Sequence, residues 1–225
     1  MYMNKQQLAR IFAHPPELVT KRLLLRKLQV TDYADMYEYS RLEEVTWYLL
    51  WEPHPDEHYT ARYLDSLQDQ YKNGEYYDWG VVWRETGKLI GTCGFTSFDL
   101  QHNRAEVGYV INPAYRGRGI APEALMAVLD YAFNELRLHR IEAKYISGND
   151  ASRRVMEKCC MTFEGILRDY MYVKRQYRDI GICSILAGEF KSKFGNTRFY
   201  SRRPAQSPGK STGLFNFFSK ERFFE

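Results

Sequence analysis

Apolar positions change their period several times along the chain. From Leu18 to Leu28, aliphatic and basic residues mix with few turn formers, which predicts a first strand. Thr31 or Asp32 then predicts a helix cap, with Tyr33, Met36, Tyr37 and Ser40 toward one face. Trp51 to Pro55 is a break. Tyr59, Tyr63, Leu64, Leu67 and Tyr71 recur at helical spacing until Asn73-Gly74 stops the pattern. From Tyr77 the period becomes that of strands: W-G-V-V-W-R, the turn E-T-G-K, then L-I-G-T-C-G-F-T-S-F reads as a hairpin. A turn over Asp99 to Asn103 precedes the strand A-E-V-G-Y-V-I, which Asn112-Pro113 ends. Pro122 sits early in the next helix, whose apolar face is Ala124, Leu125, Val128, Leu129, Ala132 and Phe133. The strand I-E-A-K-Y-I-S follows, then a short helix through Lys158 capped by Asn149 or Asp150. Two last strands run from about Phe163 to Val173 and from Tyr177 to Leu186.

This order, with a β-α-β unit from Glu106 to Ser147 that requires a right-handed crossover between parallel strands, predicts an α+β fold with a mixed sheet. No internal repeat is visible. Beyond Phe190 the pattern degrades into R-R-P-A-Q-S-P-G-K-S-T-G, a linker composition, before the aromatic cluster L-F-N-F-F-S-K-E-R-F-F-E. The chain therefore divides into a domain over 1–190 and a basic, aromatic-ended extension over 191–225.

Charge sharpens that division. The formal net charge of the 225-residue chain is +4, but residues 191–225 hold eight Lys or Arg against two Glu, leaving a slightly acidic body. A nucleic-acid-binding domain would carry a basic stripe on folded elements, so direct nucleic-acid binding is not expected. With no long apolar run and a polar Met1 to Arg10, neither a membrane span nor a signal peptide is expected, and a cytoplasmic protein follows. Cys93, Cys159, Cys160 and Cys183 form no C-x-x-C pair, which predicts neither a zinc site nor a disulfide framework.

The candidate chemistry begins at Arg116 to Ala121, R-G-R-G-I-A, between a strand and a helix. A glycine-rich loop feeding a helix N-terminus gathers backbone N–H groups in one small volume, where the helix dipole also favours an anion. Gly117 and Gly119 admit close approach, and Arg116 or Arg118 adds charge. An ordinary surface turn with two arginines is the alternative. The Walker A pattern fails because Ile120 and Ala121 follow the last glycine, and the dinucleotide fingerprint lacks its third glycine at Pro122.

The spacing Q/R-x-x-G-x-G/A is satisfied by Arg116, Gly119 and Ala121 and resembles the pyrophosphate motif of the GNAT acetyltransferases. The string from Ala105 to Ala124 is similar to the RimJ/RimL branch, as are N-D-A-S-R-R-V-M-E-K from Asn149, F-E-G-I-L-R-D-Y from Phe163 and Y-R-D-I from Tyr177. The likeness spans about Leu18 to Phe190. It departs at Cys159-Cys160-Met161-Thr162-Phe163, where relatives have Gly-Phe, and at Arg175, which predicts a longer or differently shaped turn.

The resemblance implies a GNAT fold: a twisted, mostly antiparallel sheet of about seven strands with a parallel pair at the cofactor cleft, flanked by about four helices. It implies acetyl transfer from acetyl-CoA, without a metal, to a primary amine. The N-terminal amine of a protein is the acceptor it favours, by direct attack in a ternary complex. By resemblance, Val110 and Ile111 lie on the strand that polarises the thioester, and Asn149 holds the pantetheine arm. Arg116, Gly117, Arg118, Gly119, Ile120 and Ala121 bind the pyrophosphate. Ser152 contacts the cofactor and protonates the thiolate, and Glu106 stands near the amine as base. Without the family, Asn149 and Ser152 are equally a helix cap, and Glu106 a solvated strand residue. Tyr170, Tyr172 and Tyr177 are candidate acceptor-wall residues or simple packing. A small-molecule amine remains a second acceptor class, supported by the acidic stretch Glu43, Glu44, Glu52, Asp56 and Glu57. Outside catalysis, the same features fit an acetyl-CoA sensor or a tethering protein, and the aromatic tail allows a homodimer.

Overall fold

The computed structural model describes residues 3–202. Residues 203–225, and with them the aromatic cluster from Leu214 to Phe224, lie outside the described residues. Within them the chain forms a nine-stranded sheet in the order β7-β8-β6-β5-β4-β3-β2-β1-β9.

The central strands follow the hydrophobic pattern closely. Strands β3 (Asp78–Trp83), β4 (Lys88–Asp99) and β5 (Arg104–Ile111) pair antiparallel, and β5 pairs parallel with β6 (Arg140–Ile146). The crossover between β5 and β6 is helix α5 (Ile120–Asn134). Nearly every side chain of α5 from Ala124 to Phe133 is buried, because the sheet and other elements enclose it on all sides. Helices α1 (Lys5–Ala13) and α5 share one core with Trp79, Cys93 and Val107 of the sheet. Helices α2 (Tyr33–Ser40) and α4 (Glu57–Asn73) close the opposite face over Leu28, Val82 and Leu89. Gly74, at φ 68°, ends α4 in the left-handed region as the Asn-Gly signal predicts.

Four details differ from the sequence reading. The first strand is two: β1 (Leu18–Val19) and β2 (Leu23–Arg26) form a hairpin whose turn is closed by Thr20, its Oγ1 accepting from the Leu23 N–H at 2.9 Å. Asp32 does not cap α2 through its side chain; it takes both guanidinium nitrogens of Arg26 at 2.7 and 2.8 Å. Helix α1 has a capping box between Asn4 and Gln7, a signal hidden in a segment that reads as merely polar. The turn between β7 (Thr162–Val173) and β8 (Gln176–Leu186) is not lengthened: Lys174 (φ 49°) and Arg175 (φ 63°) make a two-residue turn, both left-handed without glycine.

Helix α3 (Glu43–Thr46), helix α7 (Ala187–Phe194) and strand β9 (Ser201–Arg202) add further elements to the expected count, beside α6 (Asp150–Lys158). β9 pairs with β1, and Phe199 packs its ring on Phe190 and Phe194. Asp130, fully buried in α5, accepts from the Phe199 N–H at 2.7 Å and from Arg198 at 3.1 Å. No helix among the described residues is long and apolar enough to cross a membrane.

Candidate active site

The parallel ladder between β5 and β6 ends at Val107–Ala143, although β5 continues to Ile111 and β6 to Ile146. Beyond that point β5 stays paired with β4, and β6 with β8, so a cleft opens between them. Two cavities of about 400 and 410 Å³ meet there, and Tyr109, Val110, Asn149 and Ser152 line both.

The first cavity is walled by the loop from Arg116 and the start of α5. Gly117 (φ 76°) and Gly119 (φ 73°) hold left-handed conformations that set the loop's course. A Cβ on Gly117 would meet no atom within 4 Å, and one on Gly119 only Arg22 Nη2 at 3.7 Å, so both face open space. The first amides of α5 have no intrahelical acceptor, and the helix dipole adds to them. Arg116, Arg154 and Lys158 supply cations to the same wall. That donor set fits a phosphate chain. Ile111, Ile120 and Ala121 line it too, but Arg118 does not; its guanidinium lies over the Tyr115 ring at 5.6 Å and its carbonyl accepts from Arg22 at 2.9 Å. Arg22 also binds Glu123, the one acid in the first turn of α5, at 2.7 Å. Burial opposes ionisation of Glu123, but hydrogen bonds from Thr20 and Arg22 outweigh it and hold its carboxyl below the usual range.

Asn149 caps α6, its side chain accepting from the Ser152 N–H at 3.2 Å, while both residues also line the cavities. Ser152 is tied to Tyr109, whose hydroxyl donates to the Ser152 carbonyl at 2.8 Å and lies 2.9 Å from its Oγ. Burial pushes the Tyr109 phenol well up, so it stays protonated at neutral pH. Tyr109, Arg154 and Lys158 escaped the sequence reading. Arg154 and Lys158 carry a usable signal in their i, i+4 spacing beside Ala151 and Val155, whereas Tyr109 is one of 18 tyrosines.

Comparison with known proteins bears on this arrangement. The family described as "Acetyltransferase (GNAT) domain" matches residues 22–162. The chain belongs to the GNAT acetyltransferase family. It is 34% identical over 173 residues to the uncharacterised N-acetyltransferase p20 of Bacillus licheniformis, covering 77% of this chain and 97% of that protein. It is 28% identical over 172 residues to the Escherichia coli [ribosomal protein uS5]-alanine N-acetyltransferase, covering 72% and 86%. A solved GNAT acetyltransferase from Bacillus anthracis superposes with a TM-score of 0.69 at 31% identity, covering 77% of this chain and 99% of that one.

In this GNAT domain the second cavity lies over the α2 and α4 face of the sheet. Trp51, His54, Tyr59 and Tyr63 build an aromatic wall, with ring centroids of His54 and Tyr59 4.9 Å apart. Desolvation lowers the His54 pKa, so the ring is neutral at pH 7, and its Nδ1 lies 2.9 Å from Thr60 Oγ1. Lys144 lines this cavity and Glu106 lines neither; Glu106 Oε2 is held by Lys144 Nζ at 2.7 Å. Burial disfavours the Lys144 charge, but Glu106 outweighs it and keeps the ammonium. Tyr170, Tyr172 and Tyr177 are exposed on the β7–β8 hairpin and line neither cavity.

The Cys159-Cys160 departure shapes the end of α6 and not the cleft. Cys160 takes the left-handed position (φ 61°) and Cys159 is buried against Pro122, its Sγ 3.6 Å from the carbonyl. Burial pushes the Cys159 thiol up to about 12, an unreactive state. Among the described residues no group of three or more His, Cys, Asp or Glu side chains could hold a metal ion.

Proposed function

We propose that this chain transfers acetyl from acetyl-CoA to a primary amine, with the N-terminal amino group of a protein as the acceptor. One observation carries the reading: a phosphate-fitting cavity and a separate, aromatic-walled cavity share Tyr109, Val110, Asn149 and Ser152 at the mouth of the β5–β6 cleft. Donor and acceptor entering from the two sides meet at those residues, as direct attack in a ternary complex requires.

In this reading the amides of the Arg116 to Ala121 loop and the start of α5, with Arg116, Arg154 and Lys158, hold the pyrophosphate. Arg118 acts by bracing Tyr115. The amide of Asn149 orients the pantetheine arm, and backbone N–H groups near Val110 and Ile111 polarise the acyl carbonyl. The bound thioester supplies the electrophile. Ser152, its hydroxyl ordered by Tyr109, gives the departing sulfur a proton. Glu106 balances the charge of the Lys144 ammonium at the edge of the acceptor cavity. The protein N-terminus is favoured over a small amine because the E. coli relative bears the name of a ribosomal-protein-alanine acetyltransferase. Thiol release from acetyl-CoA, measured against alanyl and seryl peptides and against polyamines, tests this: turnover with free-amine peptides and none with their N-acetylated forms is expected. Turnover confined to polyamines would replace the acceptor, and none with any amine would remove the activity.

A further inference from the structure

Asp78 stands at the start of β3, on the face of the sheet that the acceptor cavity covers, and it lines that cavity. Its row across the sheet is unusual. Asp78 pairs with Gly94 on β4, and Gly94 pairs with Gly108 on β5, so neither partner in that row puts a side chain between Asp78 and the strand that carries Val110; the Thr96 methyl borders the gap, 2.9 Å from where a Cβ on Gly108 would lie. The carboxyl leans into that gap: a Cβ built on Gly94 would lie 2.7 Å from Asp78 Oδ1. Since the carboxyl overhangs β4, about one strand spacing, roughly 5 Å, separates it from β5. An amine nitrogen hydrogen-bonded to the carboxylate at about 2.8 Å and poised about 3 Å from a carbonyl carbon spans that interval.

Two further polar groups belong to residues that line the same cavity. Tyr39 Oη and Ser40 Oγ are buried, at 2% and 1% residue exposure, and have no hydrogen-bond partner among the described residues; both residues line the cavity. Two orphaned hydroxyls on residues of a cavity that also holds a carboxyl mark polar positions that a ligand can satisfy. An ammonium group, with three donors, offers one N–H to the carboxylate and keeps two for hydroxyl oxygens of the cavity wall.

We propose that Asp78 binds the acceptor as a primary ammonium and takes its proton, so that Asp78, and not Glu106, is the base. The inference rests on the acetyl-transfer reading for the chemical step only. The ammonium N–H bond breaks toward an Asp78 oxygen, and that proton passes through the cavity to solvent. The nitrogen lone pair forms the N–C bond to the acyl carbon, and the C–S bond breaks. Ser152 protonates the thiolate and is restored by the second proton lost from the nitrogen. An ammonium and acetyl-CoA thus yield an amide, coenzyme A thiol and one proton.

The surroundings suit this task. Crowding by protein raises the Asp78 carboxyl to about 7 in spite of hydrogen bonds from Thr92 and the Trp79 N–H, the latter at 3.0 Å. The tyrosines packed around it are uncharged at that pH: Tyr39 from α2, Tyr63 and Tyr71 from α4, and Tyr76 after it, whose phenols burial pushes up. Of the charged residues on the cavity wall, Lys144 is paired with Glu106 and Glu52 with Lys174.

The test uses the full chain and the near-isosteric Asp78→Asn variant, with Glu106→Gln beside it. For the wild type, kcat/KM is expected to rise with pH through about 7; Asp78→Asn should lose about 10²–10⁴-fold and the inflection, with acetyl-CoA affinity unchanged. Glu106→Gln should keep the inflection. A second readout needs no turnover: the Asp78 carboxyl is followed by 13C NMR in aspartate-labelled protein, assigned by its loss in Asp78→Asn. Spermidine or Ala-Ala-Ala-amide should lower its titration midpoint, and N-acetylated Ala-Ala-Ala-amide should not. If no amine releases thiol but the amines still move the midpoint, acetyl transfer falls and the ammonium site stands. Unshifted titration in the presence of both amines, or Asp78→Asn with wild-type kcat/KM and inflection, overturns the assignment of Asp78.

Discussion

At the scale of single residues, the cleft shows how environment separates groups of one chemical type. Glu106 and Asp78 are both carboxyls on one face of the sheet. Glu106 meets Lys144 at 2.7 Å, whereas burial dominates around Asp78. That difference predicts a pH dependence of stability. Asp78 binds its proton up to about 7 in the folded protein and only below its ordinary 3.8 when unfolded. Between those values folding takes up a proton, so stability falls as pH rises, and the loss is complete above about pH 7. Asp78→Asn removes this penalty. Its stability relative to wild type should therefore grow by on the order of 2–4 kcal/mol between pH 4 and pH 8, reduced by screening through the open cavity. Urea melts of both proteins at the two pH values measure it; a constant difference would show that Asp78 is not desolvated. The sequence offered Glu106 through its likeness to relatives, as the one acidic residue of the strand A-E-V-G-Y-V-I. It could not offer Asp78, whose environment is made by Tyr39, Tyr63, Tyr71 and Tyr76, brought over the sheet by helices that precede it in the chain.

At the scale of elements, the strand-loop-helix unit from β5 to α5 was legible because each part has a local cause: Asn112-Pro113 ends the strand, glycines turn the loop, and Pro122 tolerates the first helical turn. The loop's openness makes a sharp prediction. Since a Cβ on Gly119 meets only the end of Arg22 at 3.7 Å, a side chain there projects into the cavity and not into the protein. Gly119→Glu should weaken acetyl-CoA binding at least 100-fold by bulk and like charge, while φ 73° adds only about 1 kcal/mol of backbone strain. Calorimetry on the folded variant checks this, and near-normal affinity would move the pyrophosphate elsewhere. Elements whose cause is not periodic were harder to read. The break between β1 and β2 comes from Thr20 closing a tight turn inside an apolar run. The β7–β8 turn holds Lys174 and Arg175 left-handed because strand register permits only two residues there.

For the whole molecule, the boundary drawn after Phe190 on composition meets a folded continuation through Arg202. Helix α7 runs to Phe194, Phe199 packs on it, β9 joins the sheet edge, and Arg198 is the ion-pair partner of the buried Asp130. Truncation after Phe190 would leave that buried carboxylate with Asn134 Nδ2 at 2.7 Å but without its cation or the Phe199 N–H, a loss of about 3–5 kcal/mol. A drop in melting temperature of roughly 10 °C is expected at this chain length. Truncation after Arg202 keeps these contacts and should melt well above truncation after Phe190; equal melting of both truncations would show that Asp130 needs no cation. By itself the sequence determined the central elements, the family and the glycine-rich turn before α5, because hydrophobic period, turn residues and a glycine-rich helix start act over a few neighbours. Tertiary structure alone decided that Glu106 faces Lys144, that Tyr109 orders Ser152, and that Asp78 looks across Gly94 and Gly108 toward β5. Those relations depend on strand register and on burial, which join residues distant along the chain and leave no periodic trace in it.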